Sequence, residues 1–428
     1  MGENIIKCGN VSISLKPMVQ AIDRDRIERR LDDLWEIGQT QKGGVTRLAY
    51  TDEESDAFSY IQAELSSSYS ITEDSMGNLF ATREPEASDS IYIGSHLDSV
   101  YNGGRLDGTL GVVTAIEAIE AVYNSKCEPA HPPTLAIFRN EESARFGQHT
   151  VGSRGALGQL EVEDFSATDQ NDVPLWHAMQ SQGFEPENLS HPTINTERIA
   201  GFLELHIEQG RVLDERELDV GLVTSIRAPV RCRVTVTGDH DHSGATPMEL
   251  RCDALSGAAE MITAIESVAT TAATDGDLVA TVGDITPVNG AINKVCGEVS
   301  FPIDIRSKEE DYRDTIENRI VDTIETIADD RELRTEIEHL DRSEPVQLDS
   351  KFVTVLEQSA ETSGAAYCCL PSGGGHDAMN FQLAGIPTGM VFVPSINGIS
   401  HNPAEATKPE AIEKATRILS NALVNFEE

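Results

Sequence analysis

From Ser90 to Gly210 the sequence alternates short apolar runs with helical stretches, and this alternation constrains the fold more than any other feature. The strand-like runs are 91–95, 134–138 and 201–205, and between the first two lies an amphipathic helical pattern at 111–124. Alternating β and α segments of this kind predict a sheet flanked by helices, an α/β fold. The texture changes after about Ile226, where the runs 231–238, 278–286 and 298–306 alternate with period two. Helical stretches at 251–268 and 309–328 accompany them. A strand-helix-strand-strand-helix order predicts a smaller α+β domain. From about Val346 the α/β texture returns, with a helix near 350–363 and a strand at 389–393. The expected architecture is one larger domain, 1–226 and 343–428, interrupted by an inserted domain at 227–342. Helices are also expected at 23–37 and 52–65, from apolar spacing at Ile27, Leu31 and Leu34 in the first.

Charge narrows the function classes. The 428 residues include 72 Asp or Glu and 33 Lys or Arg, a formal net charge of −39 spread along the whole chain. No basic stripe is present for phosphate backbones, so no nucleic-acid partner is expected. No run approaches the ~20 apolar residues of a membrane span, and the first residues lack the apolar stretch of a signal peptide. Seven scattered cysteines argue against a disulfide framework, and the expected location is cytoplasmic. Only nine of the 33 basic residues are Lys. A carboxylate-rich, lysine-poor surface predicts a salt-adapted, halophilic cytoplasm, with an ordinary acidic enzyme as the alternative.

The candidate chemistry lies at the exits of predicted strands, where α/β sheets place their ligands. His96 ends one strand in Gly94–Val100, and Asp98 lies two residues on, able to hold the imidazole tautomer. Asp107 follows in a Gly-rich loop. Phe138–Gly147 carries the adjacent Glu141 and Glu142. Beside a dication such a pair can divide the work, one ligating and the other staying free as a base. His206 lies in Glu204–Gly210 and His401 in Gly398–Pro403. Each alone is as well explained by a satisfied loop His or surface charge. Together they suit a dinuclear zinc-type site with one bridging carboxylate. Ser372–Ala378 lacks the phosphate-loop pattern, and its glycines, Gly375 among them, let backbone approach a substrate closely. A helix N-terminus there would favour an anionic group.

Read in order, GSHLDSVYNGGRLDG, RNEESARFG, GSRG, ELHIEQG, HSGATPM, PSGGGHDA and ISHNPAE resemble the amidase, hydantoinase and carbamoylase family of binuclear metallohydrolases. The family is related to aminoacylases and di-zinc carboxypeptidases. The resemblance implies a mixed-sheet, di-zinc peptidase-like catalytic domain with the insertion as a lid and dimerisation domain. It implies two divalent ions per subunit, Zn2+ or Mn2+, with Co2+ or Ni2+ also tolerated by such ligands. His96, Asp107 and His206 would hold one ion, and Asp107, Glu142 and His401 the other.

By the same resemblance Glu141 would be the general base, passing a proton from the attacking water to the leaving nitrogen, and Asp98 would orient His96. His242, Asn293, Arg306 and Gln209 match substrate-binding positions, with Arg306 as the carboxylate clamp. The family's usual H-A-G-T-T-P-M reads HSGATPM here, and N-V-I-P-G reads Asn293-Lys-Val-Cys-Gly297. The implied reaction is hydrolysis of an N-carbamoyl-L-amino acid, with allantoate or a β-ureido acid as alternative substrates and a di-zinc peptidase as a more distant reading. The implied partners are a small ureido carboxylate and a second copy of the chain, with His242 and Asn293 supplied across the interface or through lid closure.

Overall fold

The computed structural model describes residues 19, 21–85, 89–125, 127–185 and 191–427; Cys8 and the N-terminal stretch read for a leader lie outside them. In chain order the strands are β1 (Ser70–Glu73), β2 (Leu79–Thr82), β3 (Ser90–His96), β4 (Pro133–Phe138), β5 (Ile199–Ile207), β6 (Val220–Ile226) and β7 (Ala228–Thr237). They continue as β8 (Val279–Thr281), β9 (Thr286–Pro287), β10 (Glu298–Ser307), β11 (Arg334–Arg342), β12 (Val346–Gln347), β13 (Tyr367–Ser372) and β14 (Thr388–Val393). The chain forms two units, Met1–Thr224 with Gln347–Glu428, and Ser225–Val346.

The first unit is built on a nine-stranded mixed sheet of order β1-β2-β4-β3-β5-β14-β6-β12, with β13 beside β6. The strands β4, β3, β5 and β14 run parallel to one another, so their C-terminal ends share one edge. Each of β4, β5 and β14 is buried along its whole length, which is why their sequences read as continuous apolar runs rather than alternating ones. One face is covered by the helices Thr109–Ser125, Ser350–Ser363 and Pro409–Asn425, where the Phe352 and Phe426 rings stack at 3.6 Å. On β5, Phe202 packs at 4.1 Å on Phe381 of the Asp377–Leu383 helix. Asp23 and Thr51 side chains accept backbone N–H groups at the starts of the helices Arg24–Glu36 and Asp52–Leu65.

The exit of β4 is fixed from below. Arg139 is fully buried and donates to Gly77 O (2.8 Å) and Glu54 Oε2 (2.5 Å) while lying 3.9 Å over the Phe58 ring. Removing either member would strand a buried charge, at a cost of about 3–5 kcal/mol.

The second unit is an antiparallel sheet of order β11-β7-β10-β8, with β9 paired to β10. Val234, Val236, Phe301, Ile303 and Ile305 alternate onto one face and meet Met261, Ile265, Ile316, Ile320 and Ile324 of the helices Ala254–Asp275 and Glu310–Asp330. Two features depart from the sequence reading. The run expected at 278–286 splits into β8 and β9, because their partners on β10 are Asp304–Arg306 and Val299–Ser300, with Gly283 in the break. Strand β11 was not expected at all, since Arg334, Glu336, Glu338 and Arg342 leave no apolar face to read.

Cys232, Cys252, Cys296 and Cys368 are free, whereas Cys369 is disulfide-bonded, a link that cysteine count and scatter did not predict. Among the described residues no helix is long and apolar enough to cross a membrane.

Candidate metal centre

The parallel strands place their C-terminal ends together, and the candidate residues follow from that geometry. His96 is the last residue of β3, His206 is the penultimate residue of β5, Glu141 and Glu142 follow β4, and His401 lies in the loop after β14. The loop after β3 returns Asp107 among them. Its neighbour Gly108 has φ +62°, and a Cβ there would meet the His96 ring at 2.3 Å, so only glycine fits.

Asp107 divides its two oxygens. Oδ1 faces His206 Nε2 at 3.0 Å and His96 Nε2 at 3.7 Å, while Oδ2 faces His401 Nε2 at 3.2 Å. Glu142 Oε1 lies 3.3 Å from the same His401 nitrogen. The donor atoms of His96, Asp107 and His206 lie within 4.8 Å of one another, as do those of Asp107, Glu142 and His401. These are two cation-sized groups sharing one carboxylate.

The ring tautomers suit cation binding. His96 Nδ1 meets Asp98 O at 3.1 Å and His206 Nδ1 meets Ile207 O at 2.9 Å. A carbonyl can only accept, so Nδ1 carries a proton and Nε2 is the atom each ring offers to a cation. Buried His96 Nε2 and Glu142 Oε1 have no hydrogen-bond partner. Orphaned buried donors of this hard and borderline type fit two divalent ions of the zinc or manganese kind.

Electrostatics distinguishes the carboxylates. Burial opposes ionisation of Asp107, but His206, His401 and His96 outweigh it and hold the acid well below the usual range. Glu141 goes the other way. Burial raises it well above the ordinary carboxylate value, Glu142, Asp377 and Asp98 add to this, and His96 opposes. A carboxyl group poised upward beside a nucleophile site is suited to exchange protons near neutral pH. Glu141 Oε2 lies 3.8 Å from His96 Nε2 and belongs to neither donor group. The Asp107 and Glu142 carboxylates beside its ring raise His401 to about 11.

Asp98 reaches His96 through two groups. The shorter contact to His96 comes from its backbone oxygen, and its carboxylate lies 3.5 Å from the ring. That carboxylate also accepts the backbone N–H groups of Glu141 and Glu142, each at 3.0 Å, and so fixes the turn presenting both glutamates.

Gln209 Nε2 donates to Asp107 Oδ2 at 2.9 Å and lies 3.3 Å from His401 Nε2. The glycine loop lies beside it, since a Cβ on Gly374 would be 3.2 Å from Gln209 Oε1 and one on Gly375 would be 3.6 Å from His149 Nδ1. The helix that follows opens on buried Asp377, held by Ser153 Oγ at 2.6 Å, so its first turn carries an acid rather than an open anion site. Asn140, Gln209 and His401 all have left-handed backbone, with φ of 53°, 58° and 54°. Such strain costs about 1 kcal/mol or more per residue and collects at functional sites.

Sequence reasoning missed Glu405. Its Oε1 accepts the N–H groups of Leu106 (2.8 Å) and Asp107 (3.0 Å), burial with Asp107 nearby pushes its acid up to about 7, and it fixes the Asp107 loop. It sits within the ISHNPAE motif, four residues after His401, which was the available signal. Ser400, whose Oγ meets Asp107 Oδ2 at 3.2 Å, was missed in the same way.

The remaining candidates belong to the second unit. His242 and Lys294 form an isolated bridge, and Ser243 N donates to Asn293 O at 3.0 Å, so His242 and Asn293 sit on adjoining loops. Gly244 N donates to His242 Nδ1 at 3.1 Å, which leaves Nε2 as the ring's N–H donor. On β10, Arg306 is gripped by Asp304 through Nε (2.8 Å) and Nη2 (2.9 Å).

A model of peptidase family M20/M25/M40 matches residues 92–425. The N-carbamoyl-L-amino acid amidohydrolase of Geobacillus stearothermophilus is 37% identical over 402 residues, covering 93% of this chain and 97% of that protein. The allantoate amidohydrolase of Bacillus subtilis is 33% identical over 408 residues, covering 94% and 97%. A crystal structure of a hydantoinase/carbamoylase family amidase from Burkholderia multivorans aligns with a TM-score of 0.87 at 32% identity, again covering 94% and 97%.

Proposed function

The chain belongs to peptidase family M20/M25/M40 as an amidohydrolase of its carbamoylase and allantoate amidohydrolase branch, and within it we propose that the substrate is an N-carbamoyl-L-amino acid, hydrolysed to the amino acid, CO2 and ammonia. The observation that carries the chemistry is Asp107, shared between two imidazole-carboxylate groups with Glu141 left outside both. The choice among ureido acids is supported by the 37% identity to a relative named for that substrate.

His96, Asp107 and His206 would hold one divalent ion, and Asp107, Glu142 and His401 a second; bound there, such ions polarise a carbonyl and make water acidic enough to attack at neutral pH. Glu141 takes the proton of the attacking water and hands it to the leaving nitrogen. Asp98 and Glu405 hold the Glu141–Glu142 turn and the Asp107 loop so that neither drifts during the reaction. Gln209 and the backbone at Gly375 contact the substrate. His242, with Nε2–H as donor, supports the developing oxyanion, and Asn293 adds a further polar contact. Arg306 binds the carboxylate, for which a planar fork suits two parallel hydrogen bonds. The functional form is a homodimer paired through the second unit, a reading supported by its exposed Met248, Leu250 and Ile292.

A panel of N-carbamoyl-L-amino acids, allantoate, 3-ureidopropionate and dipeptides, assayed for released ammonia or amino acid with Mn2+ or Zn2+ supplied, tests this. The highest kcat/KM is expected for a carbamoyl amino acid. Preference for allantoate or ureidopropionate would move the substrate within the branch, and turnover of dipeptides alone would overturn the proposal. Chelation should abolish activity, and full activity in protein shown by elemental analysis to be metal-free would refute the two-ion chemistry.

A further inference from the structure

A third set of ligand atoms lies wholly within the second unit. Cys232 on β7 and His339 on β11 are register partners across an antiparallel pair, and the helix Glu310–Asp330 brings Glu317 to them. One donor atom from each lies within 4.8 Å of the other two, and His339 Nδ1 is 3.5 Å from Glu317 Oε1. A register shift between His339 and Asp341 keeps both His339 and Arg342 in contact with Glu317. Arg342 bonds Glu317 Oε2 and thereby leaves Oε1 turned toward His339. Cys232 and Glu317 are buried, whereas His339 is half exposed, so the group is walled on the protein side and reachable from solvent.

We propose that Cys232, Glu317 and His339 bind one zinc-type dication, with solvent as the fourth ligand. Thiolate, imidazole and carboxylate are the zinc donor types, at about 2.3, 2.0 and 2.0–2.2 Å from the ion, and the thiolate excludes Mg2+ and Ca2+. Side-chain shifts of about 1 Å or less would bring donors this close to tetrahedral spacing. Binding replaces the thiol proton, which leaves to solvent, by an S–metal bond. The two negative ligands then balance the ion, and Arg342 stays on the outer oxygen of Glu317. Because the thiol must lose its proton to bind the ion, affinity should increase with pH. The ion would tie the edge strand β11 to β7 and to the helix above.

Co2+ titration of the full-length, metal-stripped protein tests the proposal. The candidate catalytic centre offers only nitrogen and oxygen donors, so a thiolate-to-Co2+ charge-transfer band in the near ultraviolet reports cysteine ligation alone. The band should rise to the amplitude of one thiolate-bound Co2+ per chain, disappear on adding Zn2+, vanish in Cys232→Ser and persist in Cys252→Ser. His339→Gln, at an exposed position that keeps the fold testable if Cys232→Ser does not accumulate, should weaken the Co2+ affinity of the band at least tenfold. No band at excess Co2+, a band that survives Cys232→Ser, or unchanged affinity in His339→Gln would each overturn the site.

Discussion

Asp98→Asn preserves side-chain size and removes one charge, and its effect can be worked from three contacts. The carboxylate accepts the Glu141 and Glu142 amides at 3.0 Å each and faces His96 Nδ1 at 3.5 Å. Asparagine retains one acceptor oxygen, and its NH2 must face a donor. One buried amide therefore loses its partner, at ~1–3 kcal/mol, and the surviving bond loses its ionic character, at about 1 kcal/mol more. Roughly 2–4 kcal/mol is withdrawn from the turn that carries the proposed base and one candidate ligand. Supporting residues of this kind are worth 10–100-fold in metal affinity, so calorimetric titration with Mn2+ should show a loss of about that size. At saturating Mn2+, displacement of Glu141 should still lower kcat/KM by about 10²-fold, read from ammonia release. Wild-type Mn2+ affinity together with wild-type kcat/KM would refute the role given to Asp98.

Glu141→Gln should retain metal and lose at least ~10²-fold in kcat, whereas Glu142→Gln should lose metal first, and the reverse pattern in elemental analysis would exchange their roles. Self-repulsion among 39 excess negative charges predicts a clear rise in melting temperature from dilute buffer to molar KCl, and a flat response would argue against salt adaptation. In the second unit, burial would raise the Asp277 acid, but Arg227 overrides it and holds it below its ordinary value. A depressed folded-state pKa contributes stability above the unfolded value of ~3.9 and loses it as pH falls through the folded one, so Asp277→Asn should cost stability at pH 7 and converge with wild type in acid denaturation. Mixing His242→Ala with Glu141→Gln should restore partial activity if the homodimer shares its sites; a monomer by light scattering, or no recovery in verified hybrid dimers, would remove that arrangement.

What the sequence disclosed depended on how local each signal was. His96, His206, Glu141 and Glu142 follow apolar runs by one to four residues, so a strand-exit rule finds them without knowing the sheet order. Gln209 was found through its motif, yet its bond to Asp107 could not be foreseen, because a left-handed residue turns it inward. Glu405 bonds a loop 299 positions away, and only the closed sheet reveals that pairing. The same holds for the buried pair Glu204 and Asp377, where Ser95 and Ser153 donate to the carboxylates and burial with Glu204 nearby lifts Asp377 to about 8. Strand β11 failed for a different reason: its order comes from pairing with β7, while its side chains read as solvent-facing charge.

Asn140, Gln209 and His401 carry a further implication for anyone seeking a more heat-resistant form. Glycine relaxes a left-handed backbone, so substitutions at these three positions relieve strain locally. Yet Asn140 spends its amide on Gln148 O at 2.9 Å, and the other two reach Asp107 through their side chains. A library selected by melting temperature alone would drift toward glycine at these three positions, whereas one selected for turnover would, on the proposed function, hold Gln209 and His401 and gain its robustness elsewhere. Sequencing the survivors of both regimes would map the catalytic machinery with no assay of an individual variant.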